Sequence, residues 1–253
     1  MKIFKLVCIL ISSTVWSQVE TVMDKGILLG ETEINIYQQS FDIPERIIFL
    51  NVHEDEETSI ETLHAYAKID SIPFFYLKHQ ETRRITFLLK GKSYDFDPNR
   101  IFTKKGRKKT LKDGEGYSLK ANKEVKKLAN EIIERIPLMH TVVALHNNTD
   151  ENYSIKSYLP GGGEAQNTAE IHVNPDMDPD DFIYTTDRAF YDAFKSRNIN
   201  VILQDNKGYV NDGSLSVYCG KKDIPYVNIE TQRGHFDEQM ELTKTVLEVI
   251  RKG

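Results

Sequence analysis

Short apolar runs alternate with amphipathic stretches along nearly the whole chain, and that alternation limits the fold more than any other feature. Ile47-Ile48-Phe49-Leu50-Asn51-Val52, Thr141-Val142-Val143-Ala144-Leu145, Asn200-Val201-Ile202-Leu203-Gln204 and Tyr226-Val227-Asn228-Ile229-Glu230 are too short for helices and rich in β-branched and aromatic residues, so they read as buried strands. Other apolar residues fall on helical stripes: Ile60, Leu63 and Ala67; Val125, Leu128, Ile132 and Ile136; Met240, Leu242, Val246 and Ile250. Ser118 is placed to cap the second of these helices, and Pro137 to end it. No Pro-rich or Ser-rich linker and no internal repeat breaks the pattern. The spacing predicts one α/β domain, a mixed, mostly parallel central sheet covered by helices.

The remaining stretches give weaker signals. Ile27-Leu28-Leu29 and Ile34-Asn35-Ile36-Tyr37 read as two strands joined at Gly30-Glu31, and Pro73–Leu77 and Ile85–Leu89 as two more. Lys104, Lys105, Arg107, Lys108, Lys109 and Lys112 read as a solvated basic loop, with attraction of an anionic substrate or envelope polymer as its functional alternative. Pro160-Gly161-Gly162-Gly163 lacks the Lys and Ser/Thr of a phosphate-binding loop and reads as a flexible loop bordering a cleft. Asp176, Asp178, Asp180 and Asp181 lack the ligand order of a calcium loop; they are predicted to start a helix carrying Phe182, Ala189, Tyr191 and Phe194.

The beginning of the chain differs from the rest. Lys2 and Lys5 precede an apolar run, Leu6 to Trp16, with Val15 and Ser17 as small residues before a cleavage point ahead of Gln18. Residues 1–17 therefore read as a secretory signal peptide and 18–253 as the mature domain, periplasmic or secreted, with no stable membrane insertion. Loss of Lys2 and Lys5 takes the net charge from −5 to −7, which implies no nucleic-acid face. Of the two cysteines only Cys219 would remain, so no disulfide staples the fold.

Chemistry-bearing residues gather at the carboxyl ends of predicted strands: His53 and Glu56 after the first, Asn99 and Arg100 after the Tyr94-Asp95-Phe96 run, His146 and Glu230 at two others. Open α/β sheets bind ligands along that edge. A His and a Glu three residues apart can turn an imidazole nitrogen and a carboxylate toward one metal ion, and a catalytic zinc needs three protein ligands. Taken alone, the corner His53-Glu54-Asp55-Glu56-Glu57 fits an acidic helix start equally well, and Glu57 rivals Glu56.

In these pieces, Val52-His53-Glu54-Asp55-Glu56, Asp97-Pro98-Asn99-Arg100, Ala144-Leu145-His146 and Ile229-Glu230-Thr231-Gln232-Arg233-Gly234, the chain resembles the zinc metallocarboxypeptidase superfamily. Its branches include secreted carboxypeptidases and the succinylglutamate desuccinylase and aspartoacylase group. The resemblance implies that His53, Glu56 and His146 hold Zn2+ and that Glu230 is the general base. It further implies that Asn99 and Arg100 grip a substrate carboxylate and that Tyr209 hydrogen-bonds substrate from a mobile loop. An arginine would steady the oxyanion; Arg83 and Arg84 are both candidates that the sequence does not separate, with Arg84 as the working assignment. Ala144 stands where many relatives carry an acid, and Glu54 where the desuccinylase branch has Gly, so no branch is assigned.

The expected function is a zinc-dependent hydrolase that cleaves an amide bond next to a free carboxylate, in a peptide or cell-wall peptide. The alternatives are an N-acyl amino acid or small-amide deacylase with the same machinery, and a non-catalytic envelope protein that binds an anionic ligand.

Overall fold

The longest apolar runs lie side by side at the centre of a sheet, where burial on both faces requires continuous hydrophobic sequence. The protein is known here from a computed structural model that describes residues 22–23, 26–41, 46–149 and 153–252. Its strands are β1 (Val22–Met23), β2 (Ile27–Leu29), β3 (Thr32–Gln39), β4 (Ile47–Asn51), β5 (Phe74–Lys78), β6 (Ile85–Leu89), β7 (Lys92–Phe96), β8 (Thr141–Asn148), β9 (Thr168–His172), β10 (Phe182–Thr185), β11 (Val201–Gln204) and β12 (Tyr226–Gln232). Ten form one sheet in the order β1-β3-β5-β4-β8-β12-β10-β11-β9, with β2 paired to β3, while β6 and β7 make a separate hairpin. The four central strands β5-β4-β8-β12 are mutually parallel. Antiparallel pairings begin where β3 meets β5 and where β10 meets β12.

Six helices, α1 (Glu57–Asp70), α2 (Lys104–Asp113), α3 (Leu119–Glu134), α4 (Arg188–Ser196), α5 (Leu215–Lys221) and α6 (Phe236–Ile250), are present among the described residues. Alternation along β8 assigns them to layers. Val142 and Ala144 enter a core with Leu111 of α2, Val125 and Leu128 of α3 and Leu215 of α5. Val143 and Leu145 enter the opposite core with Leu63 of α1, Phe194 of α4 and Val246 of α6. The result is a three-layer α/β domain. From β4 the chain crosses to β5 on one side, while β8 lies on the other, so the crevice between β4 and β8 is a topological switch point.

Two expectations need correction. The basic run is helix α2 and not a loop: the Thr103 side chain accepts the Gly106 N–H at its start, and Gly106, Arg107, Thr110 and Leu111 face inward. Phe182 lies in strand β10, and the helix after the acidic run starts only at Arg188, where the Asp187 side chain accepts the Phe190 N–H. Strand β9 and helix α5 were not predicted. The expected signal segment, residues 1–17, lies outside the described residues. Among those described, no helix is long and apolar enough to cross a membrane.

Candidate functional site

The corner after β4 is braced by Asn51. Its Oδ1 accepts the His53 N–H at 2.8 Å, and its Nδ2 donates to Leu145 O on the neighbouring strand at 2.9 Å and to Glu56 Oε2 at 3.1 Å. This holds both His53 and Glu56 against β8, where His146 lies two residues before the strand's end. The Glu56 carboxylate then meets two imidazoles, His53 Nδ1 at 2.9 Å and His146 Nδ1 at 2.8 Å, and the two Nδ1 atoms are 3.3 Å apart. One ligand atom from each residue lies within 4.8 Å of the others, and all three side chains are buried. Two imidazole nitrogens and a carboxylate form a donor set that suits zinc. Glu57, the rival ligand, points outward and pairs with Arg233 at 3.2 Å.

Asp97, whose part the motifs did not reveal, accepts from His53 Nε2 at 2.9 Å and from the Asn99 backbone N–H at 2.8 Å. A carboxylate behind a ligating imidazole fixes its orientation and raises its basicity. Burial alone would lower the His53 pKa, but the charges of Glu56 and Asp97 reverse this and raise it to about 9. Burial would likewise raise both acids; the imidazoles of His146 and His53 hold Glu56 well below the usual carboxylate range, and His53 does the same for Asp97.

Glu230 is set by strand register. On β12 it is the direct partner of His146 on β8, and between parallel strands partners project to the same face. It is buried, and its Oε1 accepts from Asn228 Nδ2 at 2.9 Å. Burial pushes its pKa upward, and nearby Glu56 adds to the rise while His146 opposes it.

The two arginine candidates separate. Arg83 Nη1 donates to Glu56 Oε1 at 3.0 Å and lines the cavity beside the three proposed ligands. Arg84 instead pairs with Asp95 and donates to Thr110 O at 3.0 Å, away from this cavity. Residues 81–84 form a bend before β6, and of the two arginines only Arg83 borders this cavity. Glu54 fixes that segment: its carboxylate accepts the backbone N–H groups of His79 at 2.5 Å and Glu81 at 3.0 Å.

Asn99, Arg100 and Tyr209 also line the cavity, which measures about 580 Å³. Asn99 Oδ1 accepts the Leu215 N–H at 3.1 Å, which leaves Nδ2 facing His146 Nε2 at 3.5 Å. Arg100 donates through Nη1 to Asn99 O at 2.8 Å, and its Nε lies 3.4 Å from Asp212. The segment after Tyr209 is joined to the one bearing Asn99 and Arg100 at further points. Phe102 N donates to Gly213 O at 2.9 Å and Thr103 Oγ1 to Asn211 Oδ1 at 2.7 Å. Gly106 and Gly213 pack backbone to backbone, with no room for a Cβ at either position. The Tyr209 ring lies under Lys221 Nζ, 5.6 Å from its centroid. Tyr153, Tyr158 and Tyr184 form an aromatic wall that no motif announced.

A large α/β sheet with an imidazole-carboxylate-imidazole cluster at its switch point is the class that fold and site define. No protein-family model matches this chain, and no curated protein matches it either. Among solved structures, an aspartoacylase family protein from Mesorhizobium loti is 11% identical, with 92% of this chain and 67% of that one covered at a TM-score of 0.47. The murein-tripeptide amidase MpaA from Escherichia coli O157 is also 11% identical, with 85% and 86% covered at a TM-score of 0.43. Neither likeness is close enough to say what this chain does.

Proposed function

We propose that this protein is a metal-dependent hydrolase that cleaves an amide bond next to a free carboxylate, in a peptide or cell-wall peptide. The observation that carries the reading is the convergence of His53, Glu56 and His146, with Glu230 fixed beside His146 by strand register. His53, Glu56 and His146 would hold Zn2+, which polarises a carbonyl and acidifies water when bound.

The chain's own groups supply the remaining steps. Arg100, with Asn99, receives the substrate carboxylate; a guanidinium offers a planar fork for it. Anchored there, the amide lies along the cavity toward His146 and Glu230. Glu230 takes a proton from the attacking water and delivers it to the departing amine, and a carboxylate whose pKa burial has raised suits both halves of that transfer. Arg83 faces the carbonyl oxygen as negative charge develops on it. Tyr209 borders the same space and hydrogen-bonds the substrate. The signal-like residues 1–17 support a periplasmic or secreted site of action.

Elemental analysis of purified protein, joined to assays on peptides with free or amidated carboxyl termini, tests the reading. One bound zinc per chain and cleavage of the free-carboxylate series only are expected, with turnover abolished in Glu230→Gln while the metal is retained. Equal cleavage of both series, or a metal-free active protein, would sink it.

A further inference from the structure

Positive charge is concentrated on one outer face of the molecule. Residues 104–127 carry ten basic side chains against three acidic ones, a net of +7 in a chain whose net charge is −5, so the other residues together carry −12. Folding turns this charge outward. Five lysines from Lys104 to Lys112 are exposed on the side of α2 opposite its buried residues, and four from Lys120 to Lys127 are exposed on α3. Both helices cover the same face of the sheet and touch each other.

Little of that charge is neutralised locally. Among the described residues, the one ion pair these nine lysines make is Lys109 with Asp113, at 2.6 Å. Glu124 accepts the Gly30 backbone N–H at 3.3 Å. The pairs Lys104–Lys108, Lys105–Lys109, Lys108–Lys112 and Lys123–Lys127 are like charges four residues apart, which weakens a helix. Neither helix has an acid in its first turn, where Lys104, Lys105 and Lys120 meet the positive end of the macrodipole. The arrangement destabilises both helices on their own, and an anionic partner relieves it.

The shape of the patch selects that partner. A polymer strand meets a line of charges, whereas lysines on two adjoining helices form a two-dimensional array, which matches a plane of anionic headgroups. Leu119, the first residue of α3, is 78% exposed and stands one turn before Lys123. An apolar side chain among lysines suits the boundary between headgroups and acyl chains; it offers a polyanion in solution nothing.

We infer that the outer face of α2 and α3 docks on the surface of a bilayer containing anionic lipids, with the lysines on the headgroups and Leu119 at the acyl boundary. The contact is peripheral, since no helix among the described residues can cross a membrane. The inner side of α2 adjoins the candidate site, where Gly106 packs against Gly213 beside Asp212. Docking thus holds the cavity next to the lipid surface, whatever reaction takes place there.

The test is vesicle flotation of the chain from Gln18 onward, which lacks the apolar leader. Vesicles with about one-third phosphatidylglycerol should recover about ten-fold more protein than pure phosphatidylcholine, and about 0.5 M salt should abolish the difference. Lys105→Glu, Lys108→Glu and Lys123→Glu together should lower binding about ten-fold, and Leu119→Ser about three-fold. The same charge change at Lys195, Lys244 and Lys252, exposed on the opposite helical layer, should leave binding within about two-fold. Because the first triple removes like-charge pairs, its urea midpoint should not fall, which separates lost docking from lost structure. Equal recovery on both vesicle types, or binding that the first triple leaves unchanged, overturns the inference. So does a protein that ignores the vesicles but binds soluble polyphosphate, with Leu119→Ser binding it equally well.

Discussion

Arg83 and Arg84 are consecutive in sequence and bind different carboxylates, Arg83 that of Glu56 in the cavity and Arg84 that of Asp95. Their removal should therefore be felt in different assays. Arg83→Gln is expected to lower kcat by about 10²–10³, the usual effect of deleting one oxyanion donor. Arg84→Gln should leave kcat/KM within about threefold and lower stability by about 1 kcal/mol or less, as for a partly exposed ion pair. Steady-state kinetics and urea unfolding on the two variants decide it; a catalytic loss in Arg84→Gln alone would reverse the assignment.

Asp97 stands behind His53, with its Oδ1 2.9 Å from Nε2. Asp97→Asn should weaken zinc binding by about 10–100-fold, the range seen when such a partner is lost, without changing the far-UV circular dichroism. Competition against a chromophoric chelator measures it. Unchanged affinity would mean that the carboxylate serves only to cap the turn at Asn99.

Glu54 holds two backbone N–H groups of the segment that leads to Arg83. Glu54→Ala leaves those groups to find water or remain unpaired, at about 1–3 kcal/mol for each one that stays buried. A lower urea midpoint and faster proteolysis within residues 79–84 are expected, together with a fall in kcat. Stability equal to that of the parent would show that the segment is held elsewhere.

His235 and Asp181 give a pH dependence that involves none of the proposed ligands. His235 Nδ1 lies 3.0 Å from Asp181 Oδ2. Burial would lower the imidazole's pKa, but the bond to Asp181 and its charge raise it above the ordinary 6.5. Asp181 moves upward as well, because its burial outweighs the bonds from Gln232 and His235. A raised histidine contributes stability that is complete below pH 6.5 and disappears as pH climbs through the folded value. Urea unfolding should therefore show stability falling above pH 6.5, by less than about 1 kcal/mol for this partly exposed pair, and His235→Gln should flatten the slope. A slope that survives the substitution would place its origin elsewhere.

The sequence revealed structure wherever burial left a pattern. Strands β4 and β8 are covered on both faces and carry unbroken apolar runs, and β12, broken only by Asn228 before Glu230, comes close, so their place at the centre was legible. Helix α2 was not, because its inward face is Gly106, Arg107, Thr110 and Leu111, which no hydrophobic period betrays. Strand β9, largely uncovered at the sheet edge as Thr-Ala-Glu-Ile-His, offers no apolar run at all. Phe182 was drawn into a helix because its four-residue strand follows an acidic cluster that resembles a helix start. In the site, His53, Glu56, His146 and Glu230 stood at predicted strand ends, but it was the family resemblance of the four pieces, and not their spacing alone, that singled them out. Arg83 could not be told from Arg84, since no regular strand fixes which side each one faces. Asp97 needed the contact with a histidine forty-four residues away.

The pairing of His146 with Glu230 separates what this protein must keep from what it is free to change. Their spacing is written in main-chain hydrogen bonds between β8 and β12, which any sequence able to form those strands will reproduce. Loops between them can lengthen, shorten or exchange residues without altering the distance between these two side chains. A library that randomises the exposed positions of residues 156–176 should thus yield new substrate preferences far more often than dead enzymes, whereas a single residue inserted inside either strand should silence the protein at once.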